Sequence, residues 1–370
     1  MHAMQDMPIT FPGLFGDWSF NPDPKLLDIG NGIYWYGVII TVGVLIALLF
    51  CARQAPKYGI TQDDLYTFFI WALPLSLIGA RLYYVIFYLD LYKNPDGSLD
   101  WSRVIAIWDG GAAIYGGIIA AVITLVIFCK LKKLSIGAML DVCVMGLFIG
   151  QAVGRWGNFF NREAFGTETD LPWRMGLWLS STEYVEVHPT FLYESLWNVL
   201  GLIIVYFLVS KLRSFDGENA CFYFAWYAFG RFWIEGLRTD SLYLFDWTIA
   251  GQPIRVSQAL SVVIFVVAVA YLIIRRSRHP DPANLFVTRR LMAEATAQSE
   301  QYLADQEADK RDAALLEAVD QAGRTADAEI AAQANQADLS PAPDTDTASE
   351  AAPDAQEAPA AAPEEDSKHA

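Results

Sequence analysis

Seven ionisable side chains lie within strongly apolar stretches of the chain, where a charge is costly unless it is paired or hydrated. They are Arg81, Asp141, Arg155, Glu194, Arg231, Glu235 and Arg238. Charged residues in apolar segments usually face protein or a water-filled interior, so each is a candidate for a functional site. An arginine guanidinium can hold two phosphate oxygens at once. The cluster therefore indicates an anion site, while Arg81 and Asp141 are expected to be structural.

The first arrangement is the segment 150–166, GQAVGRWGNFFNREAFG. Arg155, Asn158 and Arg162 are spaced three and four apart, which predicts one shared helical face, and Glu163 follows directly. Three glycines leave room for a ligand or a second backbone: Gly154, Gly157 and Gly166. Arginine and asparagine beside glycines suit a phosphate. The alternative is a snorkelling arginine followed by a loop turn.

The second arrangement is the segment 226–238, WYAFGRFWIEGLR. On a helix, Tyr227, Arg231, Glu235 and Arg238 form one polar stripe on an otherwise aromatic surface. A pair between Arg231 and Glu235 would neutralise part of this stripe and offers a purely structural interpretation. Arg238 then adds a further cation.

Two shorter motifs complete the set of candidates. WDGGAAIYGG, residues 108–117, places Tyr115 beside paired glycines, and HPTFLYES, residues 188–195, places His188 before a proline that can open a helix. A packing turn and a helix-capping residue are the alternative interpretations. No metal-binding cluster is evident.

The elements that must position these residues are apolar helices. The chain is 54% hydrophobic with a mean hydropathy of +0.26. Runs of about 18 or more apolar residues are long enough to cross a bilayer, and they are apolar around most of their circumference, which disfavours a soluble bundle. We predict an all-α membrane bundle of seven transmembrane helices at 33–51, 65–89, 112–131, 136–159, 189–210, 220–237 and 256–274.

Short basic loops predict the orientation of the bundle, because such loops stay in the cytoplasm. Lys and Arg follow the first, third, fifth and seventh spans, at Arg53 and Lys57, at 130–133, at 211–213 and at 275–278. The N-terminus is therefore expected outside and the C-terminus in the cytoplasm. The polar clusters are expected at the outer face.

The predicted domains are a transmembrane catalytic domain, 1–280, and an acidic cytoplasmic tail, 281–370. The tail carries 20 acidic and 6 basic residues and so most of the formal net charge of -16. Residues 284–338 could form a solvated helix, whereas Pro, Ala, Asp and Glu dominate from 340 onward, which is typical of disorder. We expect residues 285–370 to be dispensable for activity.

These motifs, in this order, resemble the prolipoprotein diacylglyceryl transferase family over about residues 30–275. The segments that carry the resemblance are YWYG (34–37), GARLYYVIFY (79–88), WDGG (108–111), GRWGNFFNREAFG (154–166), HPTFLYE (188–194) and YAFGRFWIEGLR (227–238). The resemblance implies transfer of a diacylglyceryl group from phosphatidylglycerol to the lipobox cysteine thiol of a preprolipoprotein, with release of glycerol 1-phosphate. It implies a multi-pass protein of the bacterial cytoplasmic (inner) membrane, with no cofactor, metal or nucleic-acid partner.

The resemblance also implies roles for individual residues. Arg155, Arg231, Tyr115 and Glu163 are the expected catalytic group. The expected phosphatidylglycerol-binding residues are Arg155, Asn158, Gly166, Tyr36, Tyr227, Glu235 and Arg238. Members of the family often carry histidine at the position of Tyr115, and tyrosine, with an ordinary pKa near ~10, is a weaker base. The base is therefore open among Tyr115, Glu163, His188 and water.

A transporter or flippase for anionic lipids is the competing class. Many transporters consist of two related halves, and this sequence has no convincing internal repeat. Transport would also proceed without covalent chemistry, which makes the two classes separable by experiment.

Overall fold

The computed structural model describes residues 4, 6–29, 32–239, 243–249 and 252–337. By its internal contacts the chain divides into two compact units, Met1–Ala297 and Gln298–Ala370. The helices are α1 (Pro12–Phe15), α2 (Trp35–Gln54), α3 (Gln62–Phe87), α4 (Trp101–Ile105), α5 (Ile114–Leu131), α6 (Ile136–Asn161), α7 (Thr190–Ile204), α8 (Glu218–Leu237), α9 (Val256–Ser277) and α10 (Phe286–Ala337). The strands are β1 (Ile9–Thr10), β2 (Ser19–Phe20), β3 (Lys25–Leu27), β4 (Ile33–Tyr34), β5 (Met175–Trp178), β6 (Tyr184–Val187), β7 (Tyr243–Ile249) and β8 (Gln252–Arg255).

Six helices of the described residues are long and apolar enough to cross a bilayer: α2, α3, α5, α6, α7 and α9. They confirm six of the seven predicted spans. The remaining prediction, 220–237, corresponds to α8, which is helical over Glu218–Leu237 but is not among these six. Arg231 and Glu235 lie within it and lower its mean hydropathy.

Short strands are a feature that the all-α prediction missed. One sheet has the order β2-β1-β5-β6, so the N-terminal arm pairs with the hairpin between α6 and α7. Ile9 on β1 and Leu177 on β5 are fully buried and pack into a small apolar cluster with Phe159 at the end of α6. This layer of short strands covers the end of the bundle that carries Arg155.

The helices pack closely where small residues meet. A Cβ on Gly157 of α6 would lie 2.6 Å from the Tyr36 ring of α2, and a Cβ on Gly146 would lie 2.8 Å from Cys51 Sγ. Between α3 and α5, a Cβ on Gly116 would overlap the carbonyl oxygen of Gly79. Small residues allow such close helix approach within a bilayer, where packing rather than hydrophobic burial holds helices together.

The basic loops gather at the other end of the bundle. The contacts that join them are an ion pair of Lys132 with Asp64 at 3.7 Å, the Arg213 guanidinium 4.1 Å from the Tyr58 ring centroid, and a 3.1 Å hydrogen bond from Arg276 to the Leu212 carbonyl. The four basic segments that the sequence placed on one side of the membrane therefore lie together.

Arg81 and Asp141 are structural, as predicted. Asp141 accepts hydrogen bonds from the backbone of Gly217 at 2.8 Å and Ala220 at 3.0 Å, and so caps the start of α8. Arg81 is buried and donates to the carbonyl oxygens of Val104 in α4 at 2.9 Å and of Gly111 in the loop before α5 at 2.9 Å.

The predicted tail helix is confirmed as α10, Phe286–Ala337. Its described side chains from residue 291 onward are all exposed, as a solvated helix requires. The stretch from residue 340 onward, for which disorder was predicted, lies outside the described residues.

Candidate active site

Helix α6 presents Arg155 and Asn158 on one face, near the end at which the helix terminates. The helix stops at Asn161 because Arg162 adopts a left-handed conformation with φ of 51°. The turn brings Glu163 back toward the helix, where its Oε1 accepts hydrogen bonds from Asn158 at 2.9 Å and Asn161 at 3.3 Å. Arg155 Nη1 in turn lies 3.5 Å from Asn158 Oδ1. A continuous polar chain therefore runs from Arg155 through Asn158 to Glu163.

Arg162 does not share the face of Arg155, which corrects the prediction from spacing. Its backbone has left the helix, and its side chain is buried. It donates from Nε to the Met7 carbonyl at 3.1 Å, and from Nη2 to Asn21 Oδ1 at 2.9 Å and the Pro22 carbonyl at 3.1 Å. Arg162 therefore anchors the N-terminal arm.

Glu194 of α7 lies at the centre of the charge cluster. Its carboxylate pairs with Arg155, with Arg231 at 3.3 Å and with Arg238 at 3.4 Å. Helices α6 and α8 thus supply arginines to one buried carboxylate on α7. Three guanidinium groups that would otherwise repel one another are held in a common orientation.

Glu235 is the second acid of the cluster. Its Oε2 lies 2.5 Å from Arg231 Nη2, one helical turn away, which confirms the predicted pair. The backbone at this point is supported by Arg255, at the start of α9, which donates to the carbonyl oxygens of Glu235 and, at 3.2 Å, of Arg238.

Exposure divides the cluster into two layers. The side chains of Arg155 and Arg231 are 24% and 19% exposed, whereas those of Glu194 and Glu235 are 6% and 2% exposed. The acids lie beneath and the two arginines lie above them, within reach of a ligand. The two glutamates offset part of the charge of the three arginines, so the site is less cationic than the arginines alone would make it.

Gly166 is where two chain segments meet. Its backbone N–H donates to the His188 carbonyl at 3.0 Å, and the next residue, Thr167, donates to the Leu237 carbonyl at 2.7 Å. A Cβ at position 166 would lie 2.7 Å from the His188 Cβ. Gly166 therefore permits the loop after α6 to join the ends of β6 and α8.

The predicted tyrosines have different surroundings. Tyr36 packs on Gly157 of α6, and Tyr227 stacks on Tyr223 with ring centroids 6.0 Å apart. Tyr223 accepts a hydrogen bond from Gln151, one turn before Arg155, at 2.8 Å. Tyr115 is half-exposed on the α3–α5 pair, with its ring 6.5 Å from that of Tyr83. The structure thus places Tyr36 and Tyr227 on helices that carry or flank the arginines, and Tyr115 on a separate helix pair.

His188 lies at the junction of β6 and α7. Its Nδ1 is 3.1 Å from the Tyr193 hydroxyl, which also accepts a 2.7 Å hydrogen bond from the Trp173 indole. Partial burial lowers the pKa of His188 below its ordinary value, so the neutral imidazole is favoured.

Sequence reasoning missed the central position of Glu194. The residue stood among the seven intramembrane charges but received no role. Charge balance was the available signal, because Arg155, Arg231 and Arg238 need more acid than Glu235 can provide. Within the described residues, no group of three or more His, Cys, Asp or Glu side chains is arranged to hold a metal ion.

Comparisons with known proteins agree on one family. Residues 24–274 match the family model described as prolipoprotein diacylglyceryl transferase. The chain is 45% identical over 268 residues to the phosphatidylglycerol–prolipoprotein diacylglyceryl transferase of Listeria innocua, covering 70% of this chain and 92% of that protein. It is 44% identical over 257 residues to the protein of the same name from Lactiplantibacillus plantarum, covering 67% and 87%. The match to the family model ends before the acidic tail.

Proposed function

The chain belongs to the prolipoprotein diacylglyceryl transferase family, and we propose that it transfers the diacylglyceryl group of phosphatidylglycerol to the lipobox cysteine of preprolipoproteins. The cysteine sulfur forms a thioether bond to the glycerol carbon of the diacylglyceryl group. The bond from that carbon to the phosphate oxygen breaks, and glycerol 1-phosphate leaves. The observation that carries the proposal is the cluster of three arginines around Glu194.

Arg155 and Arg231 bind the phosphate of the lipid in this proposal. They are the more exposed arginines of the cluster and come from different helices, so a phosphate between them meets donors from two sides. Negative charge grows on the phosphate as the carbon–oxygen bond breaks, and preplaced guanidinium groups stabilise it without reorganising. Glu194 and Glu235 position the guanidiniums, and Arg238 shares Glu194 with them.

The thiol must lose its proton, because the thiolate is the nucleophile. Of the candidate bases, Glu163 is connected to the arginine cluster through Asn158. Tyr115 lies on the α3–α5 pair, and His188 bonds to Tyr193. This connection supports Glu163 as the acceptor of the thiol proton. Asn158 would orient both Glu163 and the headgroup, and Tyr36 and Tyr227 would flank the bound lipid. Gly166 would allow the loop after α6 to pack against His188 and the end of α8.

Helix α8 is the seventh span in this proposal, although its composition alone does not qualify it. It has 20 residues and so a length of about 30 Å. Its start is joined to the end of α9 by a 2.7 Å ion pair of Glu218 with Arg276. Its end is joined to the start of α9 by a 3.0 Å hydrogen bond from Gln258 to the Phe232 carbonyl. Helix α9 is apolar enough to span, and α8 runs antiparallel beside it, which supports the same crossing for α8.

Seven crossings put the two ends of the bundle on opposite sides of the membrane. The gathered basic loops support a cytoplasmic location for their end and for α10. The N-terminal arm and the arginine cluster then lie at the outer face of the cytoplasmic membrane. This is the side on which an exported signal peptide presents its lipobox cysteine.

The test is a reconstituted assay of purified protein with phosphatidylglycerol and a lipobox peptide. We expect glycerol phosphate release coupled to a diacylglyceryl mass gain on the peptide. Arg155→Ala and Arg231→Ala should abolish both, whereas Arg103→Gln, which removes an exposed arginine paired with Asp100, should retain them. Wild-type protein that moves anionic lipid without modifying the peptide would instead indicate a transporter. Near-normal turnover by both variants would contradict the phosphate role.

A further inference from the structure

A second cationic cavity lies at the end of the bundle opposite the arginine cluster. Its volume is about 290 Å³, and it is lined by Gln54, Lys57, Tyr58, Met145, Tyr206, Phe207, Ser210, Lys211 and Arg213. Met145 and Arg155 are both on α6, ten positions apart, which corresponds to roughly 15 Å along the helix axis. The reaction proposed above makes no use of this cavity.

Arg213 is the deepest cation of this cavity. Its side chain is only 6% exposed, and its guanidinium lies 4.1 Å from the Tyr58 ring centroid. Nη1 is 3.7 Å from Asp141 Oδ2, which is too long for a hydrogen bond, and that carboxylate already accepts two backbone N–H groups. Among the described residues, neither Nε nor Nη1 of Arg213 has a hydrogen-bond partner. Buried donors are normally satisfied, so two unsatisfied ones beside a cavity point to a ligand.

Lys57 and Lys211 supply two further cations at the mouth. Lys57 lies 5.5 Å from the Tyr206 ring centroid, and Lys211 lies 5.8 Å from that of Phe207. The described lining contains no Asp or Glu. Basic residues at this end follow from topology alone, but a buried arginine with unsatisfied donors does not. The three cations together suit a phosphate group.

One wall of the cavity faces the apolar surface of the bundle. Phe207 lines the cavity yet is 59% exposed, on a helix apolar enough to span a membrane. It belongs to a π-helical turn, Val205–Val209, which continues α7 toward Ser210. Such turns occur often at functional sites. A ligand in this cavity would contact cations at one end, and its other end would reach the apolar surface of the bundle that faces lipid acyl chains. This combination suits a phospholipid rather than a free anion.

We propose that this cavity binds the phosphate of an anionic phospholipid from the leaflet at the basic end of the bundle. Arg213 meets the phosphate from below, and Lys57 and Lys211 meet it from the rim. The volume suits a headgroup phosphate with its glycerol, while the acyl chains lie along Phe207 and its neighbours. This site is separate from the one at which lipid would react.

Native mass spectrometry of the purified full-length protein tests the proposal, with phosphatidic acid as the probe because it carries the phosphate without the headgroup glycerol of phosphatidylglycerol. The double variant Lys57→Gln/Lys211→Gln should bind it roughly 25-fold more weakly than wild type, at about fivefold per lysine. The matched control Lys130→Gln/Arg278→Gln removes two exposed cations of the same end that do not line the cavity. It should stay within about twofold of wild type. Any binding at the arginine cluster is a background common to both variants.

Two further arms use phosphatidylcholine and inorganic phosphate at the same concentrations, and both should bind much more weakly than phosphatidic acid. Equal losses in the two double variants, or no loss in either, would overturn the proposal. If inorganic phosphate bound as tightly as phosphatidic acid, the proposal that the ligand is a lipid would be overturned.

Discussion

At the scale of single residues, Glu194 shows how one buried acid can hold several cations together. It is 6% exposed and shared by three arginines. An isolated cluster of guanidiniums would repel itself and spread apart. One carboxylate shared by the three keeps the guanidiniums together at one site.

Replacement of Glu194 by Gln should therefore change catalysis more than lipid binding. We expect kcat to fall by about 100-fold, since misplacement of electrostatic stabilisers typically costs ~10²–10³. KM for phosphatidylglycerol should not rise, because the arginines remain. The control is Glu186→Gln, which removes an acid paired with Arg174 on the β5–β6 hairpin. A raised KM with an unchanged kcat would contradict the positioning role.

His188 makes stability depend on pH. Burial lowers its pKa in the folded protein, whereas the unfolded chain titrates near ~6.5. As pH falls below ~6.5, the unfolded state takes up a proton that the folded state resists, so the free energy of unfolding decreases. Thermal melts at several values between about pH 7.5 and about pH 5 should show this loss as a falling melting temperature. His188→Gln should lack this component, and His279→Gln, at an exposed histidine, should retain it. If His188→Gln lost as much stability on acidification as wild type, another group would be responsible for the pH dependence.

At the scale of elements, the α3–α5 pair contains a close backbone approach at Gly116. A Cβ on Gly116 would overlap both the Gly79 carbonyl oxygen and the Tyr83 Cβ. A Cβ on the neighbouring Gly117 would lie 3.4 Å from the Ser76 carbonyl oxygen and 3.6 Å from the Ala80 Cβ, which is ordinary contact. Two adjacent glycines of one motif therefore have unequal roles.

Gly116→Ala should destabilise the protein by about 1–3 kcal/mol, because the backbone of one helix must move away from the other. Gly117→Ala should be neutral or slightly stabilising, since alanine favours a helix. Unfolding midpoints in detergent would compare the two variants directly. Equal unfolding midpoints for Gly116→Ala and Gly117→Ala would mean that α3 and α5 can move apart at little cost in free energy.

At the scale of the whole molecule, the residues that pack on the helical bundle extend beyond α9. Leu285 is buried, the Phe286 backbone donates to Asp216 at 3.0 Å, and Arg290 donates to the Gly59 carbonyl at 2.8 Å. The first residues of α10 thus pack on the basic loops. This packing predicts a contribution of residues 285–290 to stability, while the expectation that 285–370 is dispensable for activity stays a prediction.

Truncation after Ala297 should leave turnover and stability within error of the full chain. Truncation after Asn284 should cost about 2–3 kcal/mol, from the lost burial of apolar side chains and the lost hydrogen bonds. Unfolding midpoints and turnover of the two truncated proteins measure this difference. Identical midpoints would show that the contacts of 285–290 contribute nothing.

The sequence alone predicted apolar spanning helices and the position of an arginine-rich candidate site. Runs such as 136–159 are too apolar for any environment but a bilayer or a core, so six spans were correctly predicted. The residue types at 155, 158, 231 and 235 predicted an arginine-rich site, because a charge in an apolar segment is costly unless it has a partner or a function. Even the pair of Arg231 and Glu235 followed from helical spacing.

The tertiary structure decided which charges meet and which merely share a spacing. Arg162 fits the face of Arg155 by number, but a left-handed residue at the helix end turned it toward the N-terminal arm. Glu194 lies about 40 residues from Arg155 and from Arg231, so only the packing of α6, α7 and α8 could bring the three together. Local periodicity follows from backbone geometry within one element, whereas the partner of a buried charge is set by neighbours distant in sequence.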